Sequence, residues 1–197
     1  ITESVRGEGA ILINRDGKRF INELETRDVV SKAELAQKGA SAFLVFDQGT
    51  RENLSAINGY VKQGFAVEAS TLEELAKKVG IEPKTFVKTI ATYNGYVKAG
   101  TDKDFAKNAL PRELVKAPFY AIEVSPAIHH TMGGVRINTN TEVLTPEGKV
   151  IPGLYAAGEI TGGVHGANRI GGNAVTDITV YGKTAGENAA DFAKTSK

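Results

Sequence analysis

The chain has 197 residues, 41% hydrophobic and 24% charged, enough to bury the core of one large domain or two small ones. A net charge of +1 gives no bulk field for nucleic acid or an anionic membrane. The absence of cysteine excludes disulfides, thiolate nucleophiles and cysteine-ligated metal or haem within the chain, and no apolar run approaches membrane-spanning length.

Ile1, not Met, opens the chain with no signal-like segment, and a further stretch upstream is expected. Residues 9–22, GAILINRDGKRFIN, read as a hairpin of two apolar runs turning at Arg15-Asp16-Gly17-Lys18. A polar helical stretch over residues 29–38 precedes a short, continuously apolar strand at 42–46. Residues 70–80 read as a short helix, with Ser70 and Glu73 in capping-box spacing and Gly80 as its stop. A second helix starts near Pro83 and carries Phe86, Ile90, Tyr93 and Val97 on one face. Residues 100–104, GTDKD, then read as a surface loop. A strand over 119–124 follows, then a hairpin over 135–151 turning at Pro146 to Lys149, a strand over 153–158 and a last helix over about 172–192. A change of texture near 128–131 divides the chain into two domains, 1–130 and 131–197.

Between the last strand and the last helix, residues 158–175 read GEITGGVHGANRIGGNAV, with six glycines in eighteen residues. Glycine at this density marks a backbone that takes positive φ or comes close to another group. The loop is no dinucleotide cradle, because nowhere does a strand lead through GxGxxG into a helix.

Polar residues of possible chemical use cluster in three other places. Glu3 and Arg6 share a helical face at i,i+3, which reads equally as a surface ion pair. Arg27 stands among acidic neighbours in NELETRD, as a solvated charge would. His129 and His130 precede paired glycines at a strand end, where a ligand contact and a hydrogen-bonded structural histidine are both open readings. His165 can buttress the glycine loop. None of the three histidines shows metal-ligand spacing, and no metal is expected.

TESVRG, FINELETRD, HHTMGG, GLYAAGE and GGVHGANRIGGNA, in that order, closely resemble the C-terminal part of soluble FAD-dependent fumarate reductases of the flavocytochrome c type. These belong to the wider succinate dehydrogenase/fumarate reductase flavoprotein family. The resemblance implies an α+β capping domain over residues 1–130 and, over 131–197, the C-terminal segment of a Rossmann-like α/β FAD-binding domain. The GxGxxG half would lie upstream, as would a haem or FMN electron-input domain, so the isolated chain is expected to bind FAD weakly and to be inactive.

The resemblance also implies roles. Fumarate becomes succinate by hydride from reduced FAD and a proton from Arg27, which Glu3 and Arg6 resupply. Thr2, His129, Arg169 and Gly172 match the contacts to the dicarboxylate substrate. His130, Glu159, Ala174 and Val175 match contacts to the flavin, the last two at a helix N-terminus whose dipole favours anionic reduced flavin. Arginine is an unusual acid, because its guanidinium holds its proton in any ordinary environment. Urocanate or methacrylate is the alternative substrate, and a non-catalytic fragment the alternative class. An electron donor is required, and the periplasm is favoured over the cytoplasm.

Overall fold

The computed structural model describes residues 1–196, which divide into two compact units, the first Ile1–Ala127 and the second beginning at Ile128. The first unit runs α1 (Ser4–Gly7), β1 (Ile11–Ile13), α2 (Arg27–Leu35), β2 (Ala42–Asp47), α3 (Gln48–Asn53), α4 (Ala56–Lys62), β3 (Val67–Ala69), α5 (Leu72–Lys78), α6 (Pro83–Ala99) and β4 (Phe119–Val124). Its strands form one antiparallel sheet in the order β1-β2-β4-β3, with Ile11 opposite Val45 and Leu44 opposite Ile122.

The continuous apolar run of β2 follows from its place, because every one of its residues is buried and both faces of the sheet are covered. Phe43 and Val45 join Phe86, Ile90 and Tyr93 of α6 and Leu75 of α5 on one face. Leu44 and Phe46 join Val5 of α1, Val30 of α2 and Ile57 of α4 on the other. The apolar spacing of α6 thus serves the core, and its start is fixed by Pro83 with the Glu82 carboxylate accepting from the Lys84 and Thr85 amides.

Several sequence expectations change in the structure. The α5 cap lies one residue later than Ser70 and Glu73: Thr71 Oγ1 accepts from the Glu74 amide, and the Glu74 carboxylate accepts from the Ser70 amide. The 9–22 hairpin does not form. The turn exists, with the Asn14 amide donating to Lys18 O, but only its first arm is a strand, and that arm pairs with β2. The second arm turns inward because Arg19 is drawn into a buried ionic cluster. Its guanidinium donates to Glu23 Oε1 at 2.8 Å and Asp102 Oδ2 at 2.8 Å, while Lys107 Nζ reaches Glu23 Oε2 at 3.2 Å. Tyr93 and Phe105 flank the guanidinium at 5.2 and 5.0 Å. Asp102 is therefore buried, and residues 100–104 are not a plain surface loop.

The second unit contains β5 (Val135–Arg136), β6 (Glu142–Leu144), β7 (Val150–Tyr155), a 3₁₀ turn (Gly158–Ile160), β8 (Thr161–Gly162) and α7 (Asn173–Thr195). β6 and β7 form the hairpin about Pro146 to Lys149, and β5 runs parallel to β8. The strand expected over 153–158 begins earlier and stops at Tyr155, because the chain enters the 3₁₀ turn at Gly158. Gly134 permits the β5–β8 approach: a Cβ there would lie 2.0 Å from Ile160 O. Among the described residues, Val143 is the one buried hydrophobic side chain of this unit.

Candidate active site

In the first unit, the tight turn of α1 and the N-terminus of α2 bring Glu3, Arg6 and Arg27 together. Glu3 is the N-cap of α1, which puts Arg6 on its own face, with Arg6 Nη2 3.6 Å from Glu3 Oε1. Arg27 is the first residue of α2 and grips the same carboxylate in two places, through Nε to Oε1 and through Nη2 to Oε2 at 2.9 Å. One carboxylate thus serves two guanidiniums. The hydrogen bond to Glu3, aided by its charge and opposed by partial burial, raises the Arg27 pKa and keeps this group protonated at rest. Nη1 of Arg27 and Nη1 of Arg6 are buried donors with no hydrogen-bond partner. Thr2 is held beside them by its amide, which donates to Tyr60 Oη at 3.0 Å.

In the second unit, Arg169 is buried in the glycine loop. Its Nη1 donates to Ile170 O at 3.1 Å and its Nη2 lies 3.2 Å from His129 Nε2. Because guanidinium cannot accept, this contact requires a lone pair on His129 Nε2. Arg169 Nε remains buried without a partner. His130 takes φ +65°, a left-handed conformation uncommon outside glycine, and its Nδ1 lies 4.0 Å from Glu159 Oε2. Glu159 Oε1 accepts from the Thr131 amide at 3.1 Å and the carboxylate stays half-exposed.

Gly172, at φ +85°, is the N-cap of α7 and offers no side-chain cap to the first turn. Ala174 and Val175 occupy that turn. The Val175 amide donates to Gly172 O at 3.0 Å.

Sequence reasoning missed two groups. Tyr60, which anchors Thr2, lies 58 residues away and has no local signal. Asp177 is a buried carboxylate on α7 whose Oδ2 lies 3.0 Å from His165 Nε2. The pair spans a loop and the start of a helix, so no periodicity connects them.

The residues of the second unit fit a flavin. Arg169 Nε is a buried polar atom without a partner, Glu159 offers a carboxylate acceptor for hydroxyl groups, and Ile170 and Val175 expose apolar surface. Comparison with known proteins agrees. Residues 1–175 match the family described as FAD binding domain. The chain is 55% identical over 194 residues to the fumarate reductase (cytochrome) of Shewanella frigidimarina, covering 98% of this chain and 34% of that protein. It is 48% identical over 195 residues to the NADH:fumarate oxidoreductase of Klebsiella pneumoniae, covering 98% of this chain and 21% of that one. Among solved structures, the open conformation of a flavocytochrome c3 fumarate reductase superposes with a TM-score of 0.77 at 48% identity, over 98% of this chain and 34% of that one. The chain spans about a third or less of the length of these relatives. Its mixed helix-and-sheet architecture is that of FAD-binding flavoproteins. The chain belongs to the FAD binding domain family, with FAD as its cofactor.

Proposed function

We propose that this chain carries the proton-delivery and carboxylate-binding side chains of a flavin-dependent oxidoreductase that reduces fumarate to succinate. In this reading residues 1–130 are the capping domain and residues 131–197 the C-terminal segment of the FAD-binding domain. The rest of that domain and the electron input, through haem, FMN or NADH, lie outside the chain. The observation that carries the reading is the Glu3 carboxylate shared by Arg27 and Arg6. The two guanidiniums and the carboxylate between them alternate donors with an acceptor, as a proton path needs.

FAD, when bound, supplies the hydride. Arg27 supplies the proton, and its raised pKa means that it does so only as carbanion character develops on the neighbouring carbon. Glu3 returns a proton to Arg27, and Arg6 returns one to Glu3. Arg169 and His129 hold a substrate carboxylate. The unpartnered Arg169 Nε is a donor that a carboxylate oxygen satisfies, and the fork geometry of guanidinium suits a planar anion. Thr2 contributes a hydroxyl contact and Gly172 a main-chain contact to the substrate. His130, Glu159, Ala174 and Val175 orient the flavin.

The reading is tested on a longer protein that joins this chain to the rest of its FAD-binding domain, reduced and flavin-loaded, by mixing it anaerobically with fumarate, urocanate or methacrylate and following flavin reoxidation. Fumarate should react fastest. Faster reoxidation by either competitor would overturn the substrate assignment.

A further inference from the structure

The sequence spacing of the histidines gives no metal signature, yet the fold converges two of them on a carboxylate. A ring nitrogen of His130, a ring nitrogen of His165 and a carboxylate oxygen of Asp177 lie within 4.8 Å of one another. Their side chains are only 3%, 9% and 2% exposed. Two polar atoms of the group, His130 Nε2 and Asp177 Oδ1, are buried with no hydrogen-bond partner. Unpaired buried groups are costly, and here two of them meet in one cluster.

We propose that His130, His165 and Asp177 form a binding site for a borderline divalent transition-metal ion such as Zn²⁺. Two imidazoles and one carboxylate make a donor set suited to zinc, cobalt or nickel and poorly suited to magnesium or calcium, which prefer oxygen. Bonds of about 2.0–2.2 Å in a tetrahedral site place ligand atoms about 3.4 Å apart. The His165–Asp177 contact at 3.0 Å is already close to that spacing, and the remaining closure is at most about 1.4 Å.

The surroundings of His130 support the assignment. His130 Nε2 is the buried ring nitrogen without a hydrogen-bond partner, which makes it the ligand atom, and Glu159 Oε2 lies 4.0 Å from Nδ1 on the other side of the ring. The Glu159 carboxylate is itself held by the Thr131 amide. Three protein ligands leave a fourth position open to water.

The inference does not rest on the flavin reading, so it is tested on the untagged 197-residue chain without added flavin. Calorimetric titration with Zn²⁺ should show one site per chain with a dissociation constant of about 1 µM, and His165→Ala and Asp177→Asn should each weaken it on the order of 100-fold. Co²⁺ should give visible bands of four-coordinate intensity, whereas Mg²⁺ should give no heat. Imidazole ¹⁵N spectra of the unmodified chain provide a measurement that needs no folded variant: Zn²⁺ should move the His130 and His165 resonances and leave those of His129 in place. Absence of stoichiometric zinc binding, or binding that perturbs His129 instead, would overturn the site and leave His165 and Asp177 as a hydrogen-bonded pair only.

Discussion

The two units bury their apolar residues very differently. Residues 1–127 enclose two hydrophobic clusters, one on each face of a four-stranded sheet. Residues 128–196 bury Val143 alone among hydrophobic side chains and leave Ile128 at 99% and Ile170 at 74% exposure. Apolar surface in such quantity is normally covered by a partner surface or a ligand. The first unit therefore has the means to fold by itself, whereas the second has the composition of one part of a larger core. Chemistry follows the same division: the alternating Arg–Glu–Arg group stands on a well-packed scaffold, and the glycine loop belongs to the unit with little buried apolar surface.

Substitutions matched across the units can break this contrast. The largest effect should come from Glu23→Ala, which leaves Arg19 and Lys107 as poorly compensated buried cations and should cost about 3–5 kcal/mol in denaturant unfolding of the first unit. Next, Ile90→Ala opens a cavity in the α6 face of the core and should cost about 2–5 kcal/mol. Acid should act through the same ionic cluster. Burial works to raise the Asp102 pKa, but its hydrogen bond and charge contact with Arg19 hold it below the ordinary carboxylate value. A lowered folded pKa contributes stability that is full above the unfolded value, about 4, and is lost as pH falls through the folded one. Asp102→Asn should flatten this acid limb of the unfolding curve. The smallest effect should be Ile178→Ala in the second unit, within about 0.5 kcal/mol, because that side chain is exposed. A loss at Ile178 comparable to that at Ile90 would erase the distinction between the units.

Legibility in the sequence follows the range of the interactions. The strands at 42–47 and 119–124 and the helix from Pro83 are readable because local apolar pattern and capping agree with their burial. The second hairpin arm is not, because Arg19 answers to Asp102, 83 residues away, and a charged residue gives no local hint that it will be buried. Glu3 and Arg6 declare their pairing through i,i+3 spacing, while Arg27 reaches the same carboxylate across 24 residues and is placed there only by resemblance to a known family. Asp177 stays invisible for the same reason, since nothing in the repeat of α7 distinguishes it from a surface acid.

Arg27 offers the most direct test. It forms a partly exposed ion pair, so Arg27→Ala should change stability by no more than about 1 kcal/mol. In a flavin-loaded protein that joins this chain to the rest of its FAD-binding domain, Arg27→Ala should retain FAD but lose fumarate-dependent reoxidation of the reduced flavin. Reoxidation by the variant at the unmodified rate would contradict the assignment of Arg27 as the proton donor.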